Sequence, residues 1–125
     1  MEKIVIKNRK NMHIYINLNK TTNAKGLVVI QHGLSGYKEE KHLKRIEDTF
    51  IKAGYTTVNF DATNSRGESD NDETGITFTG HYQDLEDVIQ RAVTQKRYQE
   101  PFTLVGHSLG GMSVIYYTEH YPDKV

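Results

Sequence analysis

The sequence contains no cysteine. That excludes a disulfide framework, a thiolate metal site and a cysteine nucleophile. Net charge is also lacking: 16 Lys+Arg stand against 16 Asp+Glu. No basic run is long enough to track a phosphate backbone, which argues against nucleic-acid binding. No apolar run approaches the length of a membrane span. The start, Met1-Glu2-Lys3-Ile4-Val5-Ile6-Lys7, is too briefly apolar for a signal peptide, so a cytoplasmic location is the default expectation. Internal repeats and low-complexity linkers are missing as well. Apolar residues reach only 36% even with tyrosine counted. Leu, Ile, Val and Phe still make up about a quarter of the chain, above the level of disordered sequences. Over 125 residues, this composition suits a single domain with a lean core.

What is present alternates. Ile4-Val5-Ile6 and His13 to Leu18 read as the arms of a hairpin across the polar turn Asn8-Arg9-Lys10-Asn11. A polar loop follows to residue 25. Leu27-Val28-Val29-Ile30 is a continuous apolar run, as a strand buried on both faces should be. Glu39 to Ala53 carries Leu43, Ile46, Phe50 and Ala53 at three- and four-residue steps, and Gly54 is a natural stop, so a helix is expected there. Thr56 to Phe60 reads as a strand and Tyr82 to Gln95 as a helix with Leu85, Val88, Ile89 and Ala92 on one stripe. Phe102 to Val105 reads as the next strand and Leu109 to His120 as the next helix, ended by Pro122. This pattern predicts an α/β fold: an N-terminal hairpin and loop over residues 1–25, then βαβ units over 26–125 forming a mostly parallel sheet with helices on both faces. The connection from Asp61 to Gly80 is polar, glycine-punctuated and long, and long loops in compact domains are often functional.

Two turns carry chemistry. Gly106-His107-Ser108-Leu109-Gly110 stands between a strand and a helix. Gly-x-Ser-x-Gly at that position is a nucleophile-elbow pattern: the serine needs a tight, strained turn to hold its hydroxyl clear of the sheet, and Gly106 and Gly110 lie where a Cβ would clash. The helix beginning at Leu109 would aim free N–H groups and its positive dipole end at a developing oxyanion. The second turn, His32-Gly33-Leu34-Ser35-Gly36, also follows a strand and precedes a helix. It can supply a second backbone donor, from Leu34, beside that of Leu109. Other patterns carry less. Asp70-Asn71-Asp72-Glu73-Thr74-Gly75 begins like a calcium loop, but its twelfth position is His81 where a bidentate glutamate is required, so it reads as a solvated acidic loop. No phosphate-cradling Gly-x-x-x-x-Gly-Lys-Ser/Thr and no His-Glu-x-x-His occurs, and nothing implies a cofactor or a metal.

From about Leu27 onward the sequence resembles the N-terminal half of an α/β-hydrolase, closest to bacterial carboxylesterase-like members of the serine aminopeptidase and lysophospholipase group. The resemblance is carried by His32-Gly33-Leu34-Ser35-Gly36, by Asp61 with Arg66-Gly67-Glu68-Ser69-Asp70, by Tyr82 to Ile89, and by Gly106-His107-Ser108-Leu109-Gly110-Gly111. It implies hydrolysis of an ester or related acyl compound through an acyl-enzyme on Ser108, with the Leu34 and Leu109 N–H groups as the oxyanion hole. A serine at the elbow points away from the dehalogenase and epoxide hydrolase relatives, which have aspartate there. The family's order is serine, then acid, then histidine, and no residues follow Val125 to supply the last two. Of the upstream histidines, His81 beside the long loop is the first to consider as a substitute base. His32 is expected to pack beneath its glycine turn, and His13 and His42 to lie on the surface. The alternative reading is a non-catalytic remnant or binding module that associates with another chain.

These expectations generate a prediction for the chain alone. Without a base, Ser108 keeps its proton, and loss of one triad member typically leaves only about 10³–10⁴-fold advantage over water. Phe102 to Val105, central in the family's sheet, would become an edge and invite self-association. Poor turnover of p-nitrophenyl acetate and an oligomeric mass in solution are the expected results. A monomer whose turnover depends strongly on Ser108 would point to His81.

Overall fold

A computed structural model describes residues 1–125. The chain runs β1 (Glu2–Lys7), β2 (His13–Asn19), β3 (Leu27–Gln31), α1 (Lys41–Lys52), β4 (Thr56–Phe60), α2 (Phe78–Ala92), β5 (Thr103–Gly106) and α3 (Leu109–His120). The five strands form one sheet in the order β1-β2-β4-β3-β5. β1 and β2 are the expected hairpin, with Ile4 opposite Ile16. β2 then pairs antiparallel with β4, Ile16 facing Phe60, while β3 lies parallel to both β4 and β5. This is the α/β architecture expected from the alternation.

The strand periodicity divides the core. Ile14, Ile16, Val29, Val58 and Phe60 point to one face and meet Leu85, Val88 and Ile89 of α2 and Tyr117 of α3. Val28 and Ile30 point to the other face and meet Leu43 of α1, with Ile46 and Phe50 beside it. β3 and β4 are buried along their whole length, which is why β3 reads as an unbroken apolar run, while β4 also buries Thr56, Thr57 and Asn59.

Several boundaries differ from expectation, and α2 ends at Ala92, three residues before the expected Gln95. α1 starts at Lys41, two residues later than the stripe suggested, because Glu40 is spent on the loop, where its Oε1 accepts from the Tyr37 N–H at 3.0 Å. α2 starts four residues earlier, at Phe78, because the Thr77 hydroxyl accepts from the Gly80 N–H at 3.0 Å and caps the helix. His81 is therefore inside the first turn of α2 rather than at its opening. Phe102 precedes β5 and is buried in the main core, with its N–H donating to the Lys124 carbonyl at 2.9 Å. The helix at Leu109–His120 has the expected bounds.

β5 has a neighbour on one side only. Thr103, Leu104, Val105 and Gly106 carry no charge on that edge. Beside it α3 exposes Met112 by 58% and Ile115 by 69%. An uncharged, half-paired strand is a template for pairing with another strand. Thr103→Lys, at an exposed position of this edge, is expected to raise the concentration at which the chain associates, measured by sedimentation velocity. No change would mean that association, where seen, uses another surface.

Candidate active site at the β5–α3 turn

Ser108 occupies the turn between β5 and α3 with φ 54° and ψ −118°, a left-handed region that a non-glycine residue enters only under strain. It is the N-cap of α3 but its side chain caps nothing, so the hydroxyl is left exposed and unengaged. A serine in this position normally bonds back to the helix. Leu109 is the first residue of α3, and its N–H has no acceptor within its own helix.

The backbone can turn this sharply because side chains are missing where segments touch. A Cβ on Gly106 would run into the Gly110 carbonyl, and one on Gly110 would lie 2.6 Å from the His32 carbonyl oxygen. Gly33 brings the second turn in. A Cβ there would sit 2.7 Å from the His107 carbonyl oxygen and 2.9 Å from Ser108 Cβ. The His107 N–H donates to the Gln31 carbonyl at 3.1 Å, fastening the start of one turn to the end of β3. The structure thus brings together Gly33, Gly106, His107, Ser108 and Gly110. Leu34 follows directly, 62% exposed, and its N–H donates to no protein acceptor.

The histidines are distributed differently from the serine. His32 is buried beneath its turn, as expected. Its Nδ1–H donates to the Gly33 carbonyl at 2.8 Å, and its Nε2 accepts from the Ala62 N–H at 3.0 Å. These partners require the neutral ring, and burial lowers its pKa. His81 is buried too, with Nε2–H donating to the His32 carbonyl at 2.8 Å and Nδ1 unpartnered. It lies beside the long loop, as expected, and its bond is to the His32 carbonyl rather than to Ser108. The exposed His13 pairs with Asp70 Oδ2 at 2.8 Å. The His42 and His107 rings meet edge-on at 4.6 Å. His120 Nδ1–H donates to the Tyr116 carbonyl at 2.8 Å. None of the six histidines hydrogen-bonds Ser108.

The long connection after β4 holds the turn that follows β3. Asp61 Oδ1 accepts from the Lys38 N–H at 2.7 Å, and its Oδ2 accepts from Lys38 Nζ at 2.7 Å and from the Glu68 N–H at 2.9 Å. Lys38 is 0% exposed. Nothing in its sequence setting marks it for burial, and sequence reasoning passed over it. Asp84 of α2, within the Tyr82–Ile89 stretch of the resemblance but given no role there, is buried, accepting from the Thr63 N–H and hydroxyl, both at 2.7 Å, and from Asn8 Nδ2 at 2.9 Å. Burial raises its pKa against those bonds. In the acidic stretch Asp72 Oδ1 accepts from the Thr74 hydroxyl and N–H, closing a local turn. No group of three or more His, Asp or Glu side chains is placed to hold a metal ion. No helix is long and apolar enough to cross a membrane. An open groove of about 770 Å³ lies between the β1-β2-β4 face and the end of α2, and no elbow residue lines it.

A five-stranded α/β sheet with a strained serine between its edge strand and the following helix defines the class as an α/β-hydrolase fold. The chain belongs to the serine aminopeptidase S33 family, whose model matches residues 22–125. No curated protein sequence matches it. Among solved structures it is similar to the esterase Est1E from Butyrivibrio proteoclasticus, at 23% identity and TM-score 0.88, over 98% of this chain and 49% of that one. It is also similar to the Pyrococcus furiosus esterase Pf2001, at 17% identity and TM-score 0.86, over 98% and 48%. The Exiguobacterium antarcticum esterase EaEST gives 22% identity and TM-score 0.77 over 96% and 41%. The chain spans about half the length of these structures.

The two buried histidines set an acid limit on the fold. Burial holds His81 down to about 4 from the ordinary 6.5, and its bond to the His32 carbonyl only partly opposes this. The unfolded chain therefore binds protons that the folded chain refuses. Stability from this source is fully present above pH 6.5 and is lost as pH falls toward 4. The shift corresponds to about 3 kcal/mol at most. His81→Gln keeps an N–H donor for the His32 carbonyl without a titrating ring, and is expected to flatten the fall in melting temperature between pH 6.5 and 4. An unchanged slope would mean that other groups control it.

Proposed function

We propose that this chain is the nucleophile-bearing part of a serine hydrolase that cleaves carboxylic esters. Ser108 Oγ attacks the substrate carbonyl carbon, and the carbonyl oxygen becomes an oxyanion held by the Leu34 and Leu109 N–H groups. The tetrahedral intermediate collapses, the alcohol leaves with a proton, and water then releases the acid from the Ser108 ester. The observation that carries this reading is the contact of Gly33 with His107 and Ser108, which sets the turn bearing Leu34 against the elbow. Two donors so aimed act on charge that exists only in the transition state, and loss of one such donor costs about 10²–10³-fold in rate.

Three features support the ester class. The chain's family is one of hydrolases. Two relatives of like fold are esterases, and a third is described with ferulic acid bound, a carboxylic acid of the kind that ester hydrolysis releases. The unengaged Ser108 hydroxyl is also what a nucleophile awaiting a base requires. Acid and base would come from polypeptide outside this sequence, in the family's order. Substrate here is a small acyl compound; nucleic acid has no role.

Because no histidine in the chain bonds Ser108, a second reading stands: a non-catalytic module that works with another chain. A fluorophosphonate probe separates the two. In a protein that also supplies the acid and base, covalent labelling that disappears in Ser108→Ala is the expected result; the chain alone, without a base, should label poorly. Labelling that survives the substitution removes Ser108 as nucleophile, and complete absence of labelling in a protein that has both groups favours the non-catalytic module.

A further inference from the structure

The turn that presents Leu34 makes few bonds of its own. Its middle is closed by the Gly36 N–H donating to the Gly33 carbonyl at 3.1 Å, and the Ser35 carbonyl receives a long bond of 3.4 Å from Arg66. Ser35 is at φ 63°, so the segment is bent where it is least supported. Its position is fixed at the two ends, and both ends are held by consecutive residues of another loop. At the first end, His32 Nε2 accepts from the Ala62 N–H. At the second, Lys38 is bound through its N–H and Nζ to Asp61, through its carbonyl to Asn59 Nδ2 at 2.9 Å, and through Nζ to Glu68 Oε1 at 2.7 Å.

A fully buried ammonium is an odd choice for stability alone. Desolvating both charges offsets most of their attraction, and an apolar pair of the same volume would often hold the fold as well. What a hydrogen-bonded ion pair does provide is one permitted geometry. Burial pulls the Lys38 pKa down, but its bonds to Asp61 and Glu68 outweigh this, and the net shift is upward. Glu68 is itself held by Lys3 Nζ at 2.8 Å, so the clamp extends to β1.

We propose that Lys38 is a positioning residue: by docking on Asp61 it fixes the distal end of the Gly33–Gly36 turn and so sets the Leu34 N–H at the place where the oxyanion forms. This rests on the reading of Leu34 as an oxyanion donor. Its consequence is specific. Loosening the clamp should slow attack by Ser108 while leaving capture of the reagent unchanged.

Two readouts on the whole chain test it. The variants are Lys38→Met, and the double variant Lys38→Met with Asp61→Asn, which leaves no buried charge unpaired should the single variant fold poorly. In amide hydrogen exchange followed by NMR, the bonded Gly36 and Tyr37 amides should exchange at least about tenfold faster in a folded variant, while β4 and α3 stay as in wild type. Unchanged exchange at Gly36 and Tyr37, or equal acceleration everywhere, overturns the proposal. In fluorophosphonate labelling followed by mass spectrometry, kinact should fall about tenfold or more with KI within twofold. A loss confined to KI also overturns it. Failure of the wild-type chain alone to label is what the lack of a base predicts and leaves the serine-hydrolase reading standing; the exchange experiment alone would then decide whether Lys38 sets the turn.

Discussion

The architecture depends on close backbone approach between the segments that follow β3 and β5. Gly110 lies against the carbonyls of Gln31 and His32, and Gly33 lies against His107 and Ser108. Each contact excludes even a methyl group, so the two turns are registered to each other by backbone atoms. Ser108 is held in a region that costs about 1–3 kcal/mol. The parallel pairing of β3 with β5, the bond from the His107 N–H to the Gln31 carbonyl, and the first turn of α3 together over-determine it. Strain at one residue is thus maintained by elements on both sides.

Beneath these turns lies a layer of buried polar groups that is unusual for so lean a core. His32, His81, Gln31, Asp61, Lys38 and Asp84 are all buried, and they bond mainly to backbone of other segments. Long loops usually run over a surface because their backbone groups need partners. Here buried side chains supply those partners, and the 61–70 stretch can pass under the site as a framework. The histidines serve as neutral struts, with burial lowering the pKa of both.

Much of this was legible in the sequence, for identifiable reasons. β3 is buried on both faces and left an unbroken apolar run from Leu27 to Ile30. The elbow was legible because steric demand allows only glycine at Gly106 and Gly110. The start of α2 was not, because its signal is the cap at Thr77 and not the apolar stripe that begins with Tyr82. The insertion of β4 between β2 and β3 is a matter of long-range register, which local pattern does not carry. Lys38 was illegible for a similar reason. A lysine reads as solvated, and its burial depends on Asp61 and Glu68, which lie 23 and 30 residues further along the chain. The position of His81 beside the polar loop was legible, but its burial and its bond to the His32 carbonyl, 49 residues away, were not.

The two borders of the sheet are not alike, and this bears on stoichiometry. The β1 border carries Glu2, Lys3 and Lys7, all exposed, and charges on a border strand oppose addition of another. The β5 border carries none. A sheet open at both borders can add copies without limit and grow into a filament. A sheet open at one border has a single valence, and two copies meeting there satisfy each other about a two-fold axis. Were copies of this chain to meet at that edge, the assembly would close at a pair with both outer borders charged.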